Sequence, residues 1–280
     1  MNELEVKVMP IPKHFHFIFG LKPQTEEFHI VWYLCLKSCI AVNNPEVISF
    51  YYEHEPYGPW WDKIKPLLNL VKLEDVDYGF DERLYDQHSE GQFIKRHNLT
   101  YAHKADFLRL KILLEKGGVY ADMDTLFVKP YPDDLFESLC VLGNEQHGSK
   151  VSSLCNAVIF SQAGSKYIEK WLAQTHNVFD GTWNRHSCRE AALLHEENPT
   201  LVKVIERDCF FHFTCSTEGL ASLLAKVSEV PENLYSIHLW NHIWWDKSRT
   251  DFIRFHSEML TEKFINQVDT TFNLIARRFL

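Results

Sequence analysis

The stretch 103–134, HKADFLRLKILLEKGGVYADMDTLFVKPYPDD, constrains this chain more than any other. Apolar residues dominate from His103 to Lys116, and Gly117-Gly118 follows where a helix would end in a left-handed cap. Val119-Tyr120-Ala121 is a β-branched and aromatic run that predicts a buried strand. Asp122-Met123-Asp124 comes next, and residues i and i+2 of an extended chain point to one side, so two carboxylates are expected to leave the strand together. Like charges that close need a counter-charge, and a hard divalent cation such as Mn²⁺ or Mg²⁺ is the usual one. A lone D-x-D also arises in surface loops that bind nothing. Here the acids follow an apolar strand, where ligands gather in open α/β sheets. Asp106 and Arg109 lie three apart, hence on one helix face. The double glycine lets backbone pass close to something bulky. Taken alone, Asp106 and Arg109 would read as a surface ion pair worth a few tenths of a kcal/mol.

Asp106-x-x-Arg109 followed by Gly117-Gly118-x-Tyr120-x-Asp122-x-Asp124 resembles the sugar-binding DXD region of the retaining glycosyltransferases. That group includes yeast outer-chain mannosyltransferases, bacterial capsular and lipopolysaccharide sugar transferases, and the catalytic domains of clostridial glucosylating toxins. All five functional positions fit the family spacing, which is far more specific than D-x-D by itself. The resemblance implies a GT-A fold, an α/β domain with a mainly parallel sheet flanked by helices, and a nucleotide-sugar donor. It implies that Asp106 and Arg109 hold the donor sugar and phosphate and that Tyr120 contacts the nucleotide. Asp122 and Asp124 would bind ribose, sugar and the metal that bridges the diphosphate.

Residues around this core support an α/β frame. Pro10–Gly20 reads as the first strand, with Phe15, Phe17 and Phe19 alternating with His14, His16 and Ile18. A helix is expected over 26–42 and is stopped by Asn43-Asn44-Pro45; a strand follows over 47–52, a helix from Trp60, and a third strand near Leu70–Leu73. This rhythm implies parallel strands joined by right-handed crossovers. Asp75–His97 is polar, with Glu82, Arg83, Asp86, Gln87, His88 and Glu90, and reads as an insertion. Helices are expected over 165–176 and 189–197, the turn Asp180-Gly181-Thr182 receives no role, and His212 reads as a core histidine. Residues 251–280 carry Phe252, Phe255, Met259, Phe264, Val268, Phe272, Ile275 and Phe279 at steps of three to five, which predicts a long helical region packed on the sheet. The division expected is a catalytic domain over 1–250 and a C-terminal helix over 251–280.

The resemblance extends to four further positions. Phe19 stands where relatives have an aromatic that stacks on the nucleobase, the alternative being a core phenylalanine. Asn156 precedes the apolar run 157–160, where relatives place an Asn facing the reacting sugar; a turn-capping Asn is the competing reading. His238 and Trp244, six apart, match a His and a Trp in a loop that closes on the donor; His238 would complete the metal shell or donate to the diphosphate, the alternative being a buried structural histidine. Relatives carry Gly-Ser before that Trp, and this chain has His242-Ile243. Trp240, Trp244 and Trp245 read alternatively as core or as an acceptor platform.

Composition narrows the classes. With 38 acidic residues against 29 Lys and Arg, net charge is −9, which excludes a basic nucleic-acid binder. Seven cysteines without a C-x-x-C pair suggest reduced thiols in the cytosol. The opening MNELEVKVMP has no apolar core of a secretory signal, and no run reaches the ~20 apolar residues of a membrane helix. A cytoplasmic enzyme is expected, with peripheral association at the membrane face through 251–280 as the minor variant. The expected function is metal-dependent transfer of a hexose, with retention, from a nucleotide sugar such as a UDP-hexose to a hydroxyl of a glycan or lipid-linked glycan. Competing classes are a nucleotidyl or phosphoryl transferase, which also uses an acid pair and metal, a glycosidase, and a non-enzymatic carbohydrate-binding protein. No P-loop is present, and two acids on one side of one strand are poorly placed to flank a glycosidic bond.

Overall fold

The computed structural model describes residues 10–79, 96–148 and 151–280. The N-terminal segment weighed as a signal, and the insertion residues Glu82, Arg83, Asp86, Gln87, His88 and Glu90, lie outside them. In chain order the elements are β1 (His14–Ile18), α1 (Ile30–Asn43), β2 (Val47–Tyr52), α2 (Pro59–Ile64), β3 (Asn69–Lys72), α3 (Arg96–Lys116), β4 (Gly118–Ala121) and β5 (Thr125–Phe127). There follow α4 (Asp133–Phe136), β6 (Cys140–Asn144), β7 (Leu154–Ser161), α5 (Lys166–Val178), α6 (Glu190–Glu197), β8 (Lys203–Ile205), α7 (Arg207–Phe210) and α8 (Thr217–Leu224). The chain ends with β9 (Ser236–His238), α9 (Asn241–Trp244), α10 (Glu262–Gln267) and α11 (Thr271–Ala276).

Seven strands form one sheet in the order β3-β2-β1-β4-β7-β6-β8. The pairs β3-β2, β2-β1, β1-β4 and β6-β8 are parallel, and only β7 runs against its neighbours β4 and β6. This is the mixed, mainly parallel sheet expected of a GT-A type fold. The period-two alternation in β1 sorts its side chains as read: Phe15, Phe17 and Phe19 enter a core shared with α1, whereas Ile18 enters a second core with α3 and α5. Both faces are therefore buried, so His16 must be satisfied internally. Its Nε2 pairs with the Gly117 carbonyl at 2.8 Å and its Nδ1 with the Tyr51 hydroxyl at 3.2 Å, and burial, with His14 beside it, lowers its pKa to about 3.

The glycine pair acts as a structural joint. Gly117 has φ +64° and its N–H returns to the Leu113 carbonyl at 2.9 Å, the left-handed cap expected after α3. At Gly118, with φ +107°, a Cβ would collide with the His14 carbonyl of β1. The bulky neighbour inferred from the sequence is thus strand β1 itself. Three more expectations change. The helix expected over 26–42 begins at Ile30, because His29 accepts the Val31 N–H as its cap. The C-terminal region is not one long helix: Thr261 and Thr270 each cap a new six-residue helix, and Val268 between them is extended. The acids Asp122 and Asp124 do not lie on an extended strand; the Thr125 N–H returns to the Asp122 carbonyl at 3.0 Å, so they occupy a turn between β4 and β5. Among the described residues no helix is long and apolar enough to cross a membrane.

Candidate active site

The turn after β4 opens at the carboxyl end of the parallel strands β1 and β4. A two-stranded ribbon completes it. β5 pairs antiparallel with β9, and the register Thr125↔His238 sets a histidine from far along the chain beside the acids. His238 Nε2 lies 3.2 Å from Asp124 Oδ1 and 3.8 Å from Asp122 Oδ2. Beyond β9 the backbone is held at Trp240 with φ +56° and ψ +41°, an uncommon conformation for a bulky residue. That bend aims the Asn241 N–H at Asp124 Oδ2, 2.9 Å away, while the Trp240 indole N–H donates to the Phe213 carbonyl at 2.7 Å and fixes the ring.

A second cluster hangs from α3. Asp106 and Arg109 form the expected i,i+3 pair, with Arg109 NH2 at 3.0 Å from Asp106 Oδ1, but it is buried and not a surface pair. Asp106 Oδ1 also accepts from Asn156 Nδ2 at 2.7 Å, and Asp106 Oδ2 pairs with His186 Nε2 at 3.0 Å. Arg109 donates through Nε to the Ala105 carbonyl at 3.1 Å and through NH1 to the Asn156 carbonyl at 2.6 Å, and NH1 lies 3.1 Å from Asp122 Oδ1. The guanidinium thus donates two hydrogen bonds to backbone carbonyls while paired with two carboxylates. Arg109 also lies over the Tyr120 ring, 4.5 Å from its centroid, and the Tyr120 hydroxyl donates to Asp122 Oδ1 at 2.6 Å. One network thus runs Asn156–Asp106–Arg109–Asp122–Tyr120.

Three carboxylates share this region with one permanent cation. Burial raises the Asp122 carboxyl above the usual carboxylate range, with Asp124 adding to the effect against Arg109 and His238. Burial also works against ionised Asp124, but His238 and the Asn241 N–H outweigh it and hold that carboxyl at about 2. Asp106 likewise stays below the ordinary range because Arg109 and His186 overcome its burial. The His238 imidazole, disfavoured as a cation by burial, is raised by Asp124 and Asp122. The cluster therefore favours an added positive charge. Asp122, Asp124 and His238 offer ligand atoms within 4.8 Å of one another, a mixed carboxylate and imidazole set that fits Mn²⁺ better than Mg²⁺.

The structure gathers Asp106, Arg109, Tyr120, Asp122, Asp124, Asn156 and His238 into one place. It does not bring Phe19 and Trp244 there. Phe19 packs against Trp32, Phe28 and Phe50 at 4.6, 5.4 and 6.3 Å, and Trp244 is fully buried with its indole N–H on the Leu239 carbonyl at 2.6 Å. Trp245 stacks on Trp32 at 4.6 Å. Tyr120 is 1% exposed, so its place is beneath the acids. Sequence reasoning missed His186. It reaches Asp106 from a single π-helical turn, Arg185–Arg189, eighty positions along the chain, and no local pattern marked it.

Fold and site together define an α/β domain with a mixed, mainly parallel sheet and a D-x-D acid pair at the carboxyl end of its central strand. Residues 25–142 match the family described as "Glycosyltransferase sugar-binding region containing DXD motif". That stretch contains Asp106, Arg109, Tyr120, Asp122 and Asp124. It is 37% identical over 216 residues to "Glucan organizing enzyme 1" of Cryptococcus neoformans, a match covering 73% of this chain and 55% of that protein. It is 28% identical over 156 residues to "Subversion of eukaryotic traffic protein A" of Legionella pneumophila, covering 52% of this chain and 24% of the relative. The chain thus spans little more than half of the first relative and a quarter of the second. Among solved structures, "PaToxG Glycosyltransferase" is similar at a TM-score of 0.46 and 19% identity, over 68% of this chain and 71% of that one.

Proposed function

We propose that the protein transfers a hexose from a nucleoside-diphosphate sugar to a hydroxyl of a glycan acceptor, in a reaction that needs a divalent cation. The observation that carries this reading is the convergence of Asp122, Asp124 and His238 beside the Asp106–Arg109–Asn156 network. Asp122, Asp124 and His238 would hold the cation, whose chemistry there is neutralisation of charge on the donor diphosphate as the leaving group departs. Arg109 holds Asp106 and Asp122 as ion pairs and contributes a preorganised positive charge. Asp106, held by Arg109, Asn156 and His186, orients donor-sugar hydroxyls. Tyr120 props Asp122 and the guanidinium from below. Retention of configuration, with the acceptor entering on the leaving-group side, accords with the family resemblance, and anomeric analysis of the product would test it. The match to a protein named for glucan makes UDP-glucose the first donor to try.

The test is a panel of nucleotide sugars incubated with the protein and Mn²⁺, Mg²⁺ or EDTA, scoring released nucleoside diphosphate. Slow release from one donor, abolished by EDTA and restored by Mn²⁺, is the expected result. Release that persists in EDTA would remove the cation, and silence across the panel would remove the transferase reading.

A further inference from the structure

The acceptor-side surface is the part of the site that neither the family match over 25–142 nor the acid pair accounts for. Of the eight tryptophans in the chain, Trp183 alone is exposed, at 41% of its surface. A large aromatic left in water forgoes hydrophobic stabilisation, so its position matters. Its ring lies 5.1 Å from the ring of His242, which is itself exposed and follows Asn241, the residue whose N–H holds Asp124. On the other side it lies 6.4 Å from the ring of His103, which packs edge-on against His186 at 4.7 Å, and His186 holds Asp106. Trp183 therefore bridges the wall of the acid pair and the wall of the donor-holding carboxylate.

The backbone on both sides of Trp183 is tied down. Asp180 Oδ1 accepts both the Thr182 N–H at 3.0 Å and the Thr182 hydroxyl at 2.6 Å, a closed turn around Gly181 at φ +81°. The π-helical turn begins two residues after Trp183, and within it the His186 carbonyl accepts from the Trp171 indole N–H and the Thr175 hydroxyl, each at 3.2 Å. An exposed indole set between the two clusters is suited to the apolar C–H face of a pyranose ring.

We propose that Trp183 is the stacking platform for the acceptor sugar. This rests on the transferase reading above. The acceptor sugar is assigned in preference to the donor nucleobase because Trp183 stands between the two clusters proposed to hold the donor's sugar and diphosphate, whereas the base is joined to the far end of the diphosphate.

Steady-state transfer would be measured from the active donor to methyl glucosides, maltotriose and laminaritriose, with wild type, Trp183→Ala and Trp183→Phe. The expected result is a rise of at least tenfold in acceptor KM for Trp183→Ala, a much smaller change in donor KM, and recovery to within about threefold for Trp183→Phe. An acceptor KM unmoved in Trp183→Ala would overturn the platform while leaving the transferase intact. A donor KM that rises in place of the acceptor KM would reassign the ring to the nucleobase and equally overturn it. Wild-type protein that releases no nucleoside diphosphate from any donor would instead remove the transferase reading on which the platform depends.

Discussion

Two clusters of Asp and His are joined through Arg109 in this site, and they differ in how their charge is met. In each, carboxylate and imidazole atoms lie within 4.8 Å of one another: Asp122, Asp124 and His238 in one, His103, Asp106 and His186 in the other. The difference is charge balance. Asp106 is a single acid that receives Arg109, Asn156 and His186. Its lone pairs are largely occupied and its charge is met. The other cluster sets two acids against a shared guanidinium and one imidazole, with 24% of the Asp122 side chain exposed against 11% for Asp106. Spacing and residue type alone would allow a metal in both. Counting donors and charges favours Asp122, Asp124 and His238 for the proposed cation, and Asp106 for a neutral polar donor.

The largest expected effect breaks the first cluster. Asp124→Ala removes a ligand and the acceptor of both His238 and the Asn241 N–H, and should lower metal-dependent donor cleavage by about 10³-fold or more. Calorimetry should show one Mn²⁺ per wild-type chain and none in the variant. Two ions per wild-type chain would erase the distinction between the clusters. Next in size is Asp106→Asn, which keeps the shape but loses the charge that Arg109 and His186 hold. An activity loss of about 10²-fold is expected with Mn²⁺ affinity within threefold of wild type. A parallel loss of metal affinity would join the two clusters into one.

His186 tests how far the second cluster depends on its far side. Replacing it by Phe leaves Asp106 Oδ2 without that donor and should cost about 10-fold in activity, with about 1–3 kcal/mol of stability. His186→Gln supplies an N–H and should recover most of both. Identical losses in the two variants would mean that the ring, packed at 5.9 Å on Phe107 and 4.9 Å on Phe179, matters only as core.

Much of this arrangement was legible because it is local. The five positions of the DXD region share one helix–strand–turn unit, and the alternation in 14–19 gave the facing of β1 directly. What escaped depends on long-range register. His238 reaches the acids through the β5–β9 pairing, and sequence could place it only by resemblance. His186 reaches Asp106 through a π-turn that no periodicity announces. For the aromatic residues the sequence left two readings open, for a physical reason: a Phe or Trp that could stack on a ligand has the same composition as one that fills a core. Phe19 and Trp244 pack among aromatic neighbours in the core, whereas Trp183 is the exposed residue that follows the Asp180-Gly181-Thr182 turn.

The smallest effect sharpens the comparison through pH. Burial, and then His186 nearby, lower His103 from 6.5 to about 4, against Asp106 and the backbone carbonyls of Thr182 and Trp183. Below pH 6.5 the unfolded chain takes up a proton at this position that the folded chain does not. Stability supplied by the neutral ring is therefore fully present above that pH and is lost as pH falls toward the folded value. For a group shifted in this way, the loss between pH 6.5 and about pH 5.5 is about 1 kcal/mol. His103→Gln, which does not titrate, should lose about that much less than wild type over the interval in urea unfolding, even though it is less stable outright. Other buried histidines such as His16 contribute equally to both proteins and cancel. An unchanged slope would place a proton on folded His103 near neutral pH, and the second cluster would then carry a positive charge beyond Arg109 and be still less suited to a metal.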